Sequence, residues 1–265
     1  MEIIGYFLAI LMGFILGLLG GGGAILTVPI LVYFFGIPAV LATGYSLLVV
    51  GLTSALGSIK YYRDNLIDFR VAIWFSIPSM LGVFLSRKYV LPIIPENFSV
   101  FKYIFNKDQV IMLAFSLLVL LIALFMFKSK EPNKDVNQQL KHKKINPIKI
   151  SFGGLFVGII TGFFGAGGGF IIVPSLMLLA NITLRKAIAT SLLVIALKSL
   201  AGLASDRSEG ISLDWYFLSI FMGFTICGVI LGSLLNNRIS IAILRKGFAY
   251  FVFVMGLLIV VKELL

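Results

Sequence analysis

The chain has 265 residues, of which 60% are hydrophobic and only 12% are charged, and its mean hydropathy is +1.08. Soluble domains carry about 25% charged residues, so this composition excludes an ordinary soluble protein. The net charge of +11 does not indicate nucleic-acid binding, because the basic residues lie in short stretches between apolar runs, where Lys and Arg set membrane orientation.

Eight hydrophobic blocks follow one another along the chain. Most are close to the roughly 20 residues that a helix needs to cross a bilayer core about 30 Å thick. They predict an all-α polytopic membrane protein of the cell (inner or plasma) membrane, with the lipid bilayer as a partner. The blocks are residues 4–35, 40–59, 69–85, 110–127, 148–180, 184–204, 213–235 and 243–261.

The first block contains a break. As one straight helix, residues 4–35 would be roughly 48 Å long, well beyond the bilayer core. Four consecutive glycines, Gly20 to Gly23, lie near its middle and are followed by Pro29, and each interior glycine costs about 1 kcal/mol of helix propensity. We predict a hairpin that enters the membrane, breaks at the glycines and returns.

Two polar stretches interrupt the apolar pattern. Residues 92–108 are polar and aromatic and fit either an interfacial helix or a loop. Residues 128–148 are rich in Lys, also hold Asn, Gln and Asp, and indicate a solvated linker. This linker divides the chain into a first transmembrane repeat, residues 1–127, and a second, residues 149–265.

The two halves repeat. A shift of 145 positions lays residues 17–23 on 162–168, Pro29 on Pro174, and the Ser-Leu-Leu-Val run that begins at Ser46 on the one that begins at Ser191. One residue further along, Asp68 matches Asp214, and each is predicted to cap the helix that follows it. Duplicated halves are typical of secondary transporters.

The distribution of Lys and Arg favours the hairpin. If both broken blocks return to the side they came from, fifteen Lys and Arg residues share the linker's side and six lie opposite, whereas eight simple crossings divide them at best twelve to nine. The positive-inside rule then predicts a cytoplasmic linker and both termini outside. Three crossings and one hairpin per half make the repeats inverted.

The breaks are the candidate substrate site. Unpaired backbone N–H groups and the N-terminus of a returning half-helix carry partial positive charge, which suits an anion. The alternative is that the glycines only allow tight helix packing. The candidate residues at the breaks are Gly20, Gly22, Gly23, Thr27, Pro29, Gly165, Gly167, Gly168, Gly169 and Pro174.

Further candidates lie in the helix after each break. Lys198 is a basic residue inside an apolar block, where a charge costs at least about 2.5 kcal/mol; it either contacts the anion or extends its stem to the interface. The hydroxyls of Tyr45, Ser46, Thr190 and Ser191 either line the same cavity or bond neighbouring helices.

Enzyme chemistry has little support. Cys227 and His142 are the single cysteine and the single histidine, so neither a metal cluster nor a Cys/His catalytic pair can be assembled. We predict no enzyme, no cofactor and no metal site.

The doubled glycine break with its proline, and the Ala-Thr-x-x-Ser and Thr-Ser-Leu stretches that follow the breaks, resemble the TauE/SafE family of sulfite and organosulfonate exporters. The resemblance covers both halves. It implies passage of a small anion such as sulfite or a sulfonate. The sequence therefore predicts a secondary transporter that works by alternating access around a midplane site between the two breaks. The alternative is an uncoupled, channel-like anion pore.

Overall fold

The computed structural model describes residues 2–93, 95, 97–100, 103–128, 146–165, 167–208, 214–235 and 241–264. The helices of the first half are α1 (Glu2–Leu19), α2 (Thr27–Phe35), α3 (Ala39–Arg63), α4 (Phe69–Leu85) and α5 (Lys107–Lys128). Those of the second half are α6 (Pro147–Phe164), α7 (Gly169–Ala180), α8 (Leu184–Ser208), α9 (Trp215–Leu235) and α10 (Ile241–Leu264). A short 3₁₀ helix, Gly22–Leu26, precedes α2.

Six of the described helices are long and apolar enough to cross a membrane: α3, α4 with its extension to Ile93, α5, α6, α8 and α9. Large apolar side chains such as Ile77, Leu121 and Phe152 are more than half exposed, as lipid-facing residues are. The prediction of an all-α polytopic membrane protein is confirmed. Helices α3 and α8 are the most buried of the six, so they form the centre.

The end of α4 and the stretch after it differ from the prediction. The helix continues beyond Leu85 through a π-helical segment, Ser86–Val90, to Leu91–Ile93. An antiparallel pair of strands follows, β1 (Asn97–Val100) and β2 (Tyr103–Asn106). The described residues 97–100 and 103–106 thus form neither the interfacial helix nor the loop that we weighed. Asn-Phe-Ser-Val alternates polar and apolar residues, which is the period of a strand.

The chain doubles back at both breaks. In the first half, the Thr27 hydroxyl lies 3.0 Å from the sulfur of Met12, and the rings of Tyr6 and Phe35 are 5.1 Å apart. In the second half, a Cβ placed on Gly153 would overlap the side chain of Leu179. The ends of α2 and α7 therefore lie back beside the early parts of α1 and α6, as a hairpin requires.

The first helix of each half packs on the other half. Gly13 and Gly17 of α1 lie directly against the backbone of α9, beside Thr225 and Val229. In the same way Gly158 and Gly162 of α6 lie against Ser79 and Val83 of α4. Both pairs advance in the same direction, so both are parallel, and small residues allow the backbones to touch.

The central helices run in opposite directions. Gly51 of α3 lies beside Ser199 of α8, and Gly57 lies beside Leu192, so residue numbers rise on one helix as they fall on the other. The 145-residue shift makes α3 and α8 equivalent. Equivalent helices that pack antiparallel have the relation that inverted repeats produce.

The two ends of the helix bundle are distinct. Tyr33 of α2 donates to Glu263 of α10 at 2.8 Å, and the N–H of Val40 in α3 donates to Asp108 of α5 at 3.1 Å. The end of α10 thus lies at the same face as the starts of α1, α3 and α5, which we call the terminus face. The opposite face, where α5 ends and α6 begins, is called the linker face. Most of the predicted linker, residues 129–145, lies outside the described residues.

Candidate functional site

The two glycine breaks meet in the middle of the bundle. A Cβ on Gly21 would overlap the Cα of Gly169, so the two backbones are in contact. Gly21 has a φ of 117°, and Gly165, Gly167 and Gly168 have φ between 61° and 70°, which side chains rarely adopt. Of the glycines that the sequence singled out, Gly20, Gly165, Gly167 and Gly168 are therefore required by backbone conformation, whereas Gly22, Gly23 and Gly169 have no positive φ.

The first break is tightly packed and its carbonyls have partners. The Ser191 hydroxyl donates to the Gly20 carbonyl, and the Tyr61 hydroxyl donates to the Gly17 carbonyl at 2.8 Å. Thr27 donates to the carbonyl of Ala24 at 3.1 Å, and Gly23 lies against the backbone of α1. This break is filled by the protein itself.

The remaining first-break residues are also buried in protein. Gly22 opens the 3₁₀ helix and is buried, as are Gly20 and Gly23. Pro29 occupies the first turn of α2. Backbone N–H groups in the first turn have no partner within the helix, so the N–H that proline lacks is not needed there. Its counterpart Pro174 lies inside α7, five residues after Gly169, and so beyond the second break.

The second break carries a buried cation. Lys198 is fully buried, and its ammonium donates to the hydroxyl of Thr161 at 2.6 Å. The same ammonium would lie 3.0 Å from a Cβ on Gly168. Within the described part of the chain, no carboxylate forms an ion pair with Lys198. The Lys198 amine therefore lies directly beside the glycine backbone of the break.

The position of Lys198 argues against an extended stem at the interface. Lys198 lies ten residues before the end of α8, about 15 Å along the axis, and near the centre of the antiparallel contact with α3. A lysine side chain is too short to cover that distance.

A second buried cation, Arg87, was missed by the sequence analysis. Arg87 is 2% exposed, and its Nη1 lies 3.3 Å from the Thr43 hydroxyl and 3.3 Å from the Gly162 carbonyl. It lies in the π-helical segment after Leu85, where the apolar block ended. One signal was available in the sequence. The register that aligns Asp68 with Asp214 also aligns Arg87 with Ser233, which lies inside the apolar block 213–235 of the other half.

Ser46 contributes a free hydroxyl at this break. It lies on α3 between Thr43, which touches Gly165, and Val50, which touches Gly167, and residues spaced by three and four share a helix face. Its oxygen is buried and has no hydrogen-bond partner in the described structure.

The hydroxyls of Tyr45 and Thr190 accept hydrogen bonds from residues at the starts of other helices. The Tyr45 hydroxyl accepts from the N–H of Asp214 at 2.9 Å, and the Thr190 hydroxyl accepts from the N–H of Asp68 at 3.0 Å. Each aspartate caps its own helix, accepting from Val71 at 3.1 Å and from Phe217 at 3.0 Å, so the predicted N-caps are confirmed. These contacts match the helix-bonding alternative.

The two breaks differ in charge. Thr53, the counterpart of Lys198, donates to the carbonyl of Val49 in its own helix at 2.6 Å. Leu16, the counterpart of Thr161, is apolar and buried. The cation and its hydroxyl partner thus occur at the second break and are replaced by uncharged groups at the first.

Comparison with known proteins decides the family. The family model described as sulfite exporter TauE/SafE matches residues 6–259, almost the whole chain. The chain belongs to the TauE/SafE family. The resemblance found in the sequence is therefore confirmed.

Relatives of this TauE/SafE protein are described as transporters. A "probable membrane transporter protein" of Xylella fastidiosa is 30% identical over 87% of this chain and 83% of its own length. Another from Bacillus subtilis is 28% identical over 94% and 96%, and one from Methanocaldococcus jannaschii is 29% identical over 94% and 93%. No solved structure matches. This TauE/SafE protein is a multi-pass transporter of the cell membrane and not an enzyme.

Proposed function

We propose that the protein is a secondary transporter that carries a small anion and binds it at the second glycine break, against Lys198. The observation that carries the proposal is a fully buried ammonium whose hydrogen-bond partner is the neutral hydroxyl of Thr161. A buried charge without a counter-charge costs several kcal/mol. A bound anion offsets that cost.

The surroundings of Lys198 suit an oxyanion. Gly168 and Gly169 bring the backbone close to the ammonium, and α7 begins at Gly169, so the partial positive charge of its N-terminus points into the break. Ser46 supplies a buried hydroxyl that has no hydrogen-bond partner among the described residues. Ammonium, hydroxyl and backbone N–H groups are the donors that oxyanions accept.

The architecture supports alternating access. Helices α1, α3 and α9 form one unit and α6, α8 and α4 form its counterpart, each joined by parallel contacts. Lys198 lies where the units meet and is closed to both faces in this state. We propose inverted repeats over residues 1–127 and 149–265, with a cytoplasmic linker at 128–148, and we propose that the two units, each built from helices of both repeats, rock about this site.

The substrate class follows the family description. Sulfite and organic sulfonates each present three oxygens around one sulfur, a compact group that fits a site made of one ammonium, hydroxyls and glycine backbone. We propose such a sulfur oxyanion as the substrate and its export as the direction.

Reconstituted liposomes test the proposal. A carrier gives saturable uptake of labelled sulfite and is accelerated by unlabelled sulfite on the other side. An uncoupled pore gives flux that rises linearly with concentration and unitary currents in a planar bilayer. Linear flux with unitary currents would reject the carrier, and absence of flux for sulfite, methanesulfonate and sulfoacetate would reject the substrate class.

A further inference from the structure

Arg87 and Lys198 lie at different depths. Helices α6 and α4 are in parallel register, with Gly158 beside Ser79 and Gly162 beside Val83. Thr161, which holds Lys198, is therefore level with Gly82. The backbone of Arg87 lies five residues further along α4, about 7 Å, in the direction of the terminus face, and its guanidinium reaches back to the Gly162 carbonyl.

The guanidinium of Arg87 touches both halves of the chain. Its Nη1 contacts the Thr43 hydroxyl of α3 and the Gly162 carbonyl of α6. Both contacts are 3.3 Å long, beyond the usual optimum for an N–H donor. Gly165, the first glycine of the second break, lies against Thr43. The Arg87 guanidinium therefore lies at the end of the break nearer the terminus face, and the Lys198 ammonium lies deeper in the bundle.

We propose that Arg87 forms a second anion station on the path between the Lys198 site and the terminus face. An anion that leaves Lys198 in that direction passes the guanidinium, whose planar set of donors fits two oxyanion oxygens at once. Two successive stations keep each step small, because binding at one site need not be tight enough to trap the anion. The inference rests on the proposed anion transport.

The π-helical turn supports this placement. Segments of this type interrupt a regular helix and occur often at functional sites. Here the segment Ser86–Val90 continues α4 beyond its apolar block and carries Arg87 into the interior. An arginine at the exposed start of the same helix, Arg70, has no such environment and serves as a control.

Sided transport assays test the station. Labelled sulfite is presented to the terminus face or to the linker face, in right-side-out and inverted vesicles. The orientation of the protein in each preparation is determined from protease access to a C-terminal tag. Arg87→Gln should raise KM from the terminus face at least tenfold and change KM from the linker face less than threefold. Arg87→Lys should recover part of the loss, Lys198→Gln should raise both values, and Arg70→Gln should change neither.

The outcomes separate the two proposals. If Arg87→Gln changes KM equally from both faces, or from neither, the proposed second anion station is wrong, and the proposed anion transport is not affected by that result. If the unchanged protein does not transport sulfite, the proposed function itself is rejected. If Arg87→Gln does not fold, Thr43→Val removes one contact of the guanidinium and should show the same one-sided effect at a smaller size; a symmetric effect there would reject the station.

Discussion

Ser46 and Ser191 occupy equivalent positions in the two halves, yet only Ser191 has a hydrogen-bond partner. Ser191 donates to the Gly20 carbonyl at the first break and also bonds the Ile188 carbonyl at 2.8 Å. Ser46 is equally buried beside the second break, and its oxygen is unpartnered in the described structure. A buried polar group without a partner is costly, and this difference supports our proposal that the anion binds at the second break.

This pair gives a direct contrast between binding and stability. Ser191→Ala should lower the free energy of unfolding by about 1–2 kcal/mol, because it leaves the Gly20 carbonyl unpaired, while KM for the anion stays within threefold. Ser46→Ala should leave stability nearly unchanged and raise KM at least threefold. Chemical unfolding and uptake assays on both variants measure the contrast, and equal behaviour of the two would contradict the assignment of the site to the second break.

A methyl group in the second break should disable the site. Gly168 has a φ of +70°, and its Cβ would overlap the methyl of Thr161 and lie 3.0 Å from the Lys198 ammonium. Gly168→Ala should therefore reduce anion uptake per folded protein at least tenfold. The control is Gly223→Ala in α9, where a Cβ meets nothing within 4 Å.

A second substitution checks the cause of the Gly168→Ala defect. Thr161→Ser removes the overlapping methyl and keeps the hydroxyl that holds Lys198. The double variant should transport better than Gly168→Ala alone. If it does not, the displaced contact between Thr161 and Lys198 is not the reason for the loss.

Tyr45 and Thr190 should matter for folding and not for substrate. Tyr45→Phe and Thr190→Val remove the acceptors for the backbone N–H groups of Asp214 and Asp68. Each should lower the melting temperature by an amount that corresponds to about 1 kcal/mol, with KM within twofold of the unchanged protein. A large rise in KM at normal stability would place these hydroxyls in the substrate path.

The orientation of the bundle can be tested with reporters. The terminus face carries the start of α1 and the end of α10, and the charge distribution predicts that this face is outside. A fluorescent protein that matures only in the cytoplasm should stay dark when fused after Leu265 and fluoresce when placed in the linker. Bright fusions at both places would contradict the shared face of the termini and the linker's opposite position.

Much of the fold could be predicted from the sequence, because lipid solvation imposes long apolar helices and glycine runs end them. The breaks at Gly20 and Gly165 followed from these rules, and Lys198 was singled out, with anion contact and an interfacial stem left as alternatives. The unequal roles of the two breaks did not, since a repeated motif such as Gly17 to Gly23 does not reveal which copy is filled by side chains. Arg87 was missed because a π-helical turn, which no apolar pattern marks, carries it inward.

Anion binding at Lys198 can be tested directly by measuring how much sulfite stabilises variants of this residue. Purified protein is heated with and without sulfite, and Lys198→Ala, Lys198→Arg and the exposed control Lys186→Ala are compared. If the anion binds at Lys198, sulfite should raise the melting temperature of the unchanged protein and of Lys186→Ala, raise that of Lys198→Arg less, and leave that of Lys198→Ala unchanged. A normal sulfite response in folded Lys198→Ala would contradict anion binding at the second break.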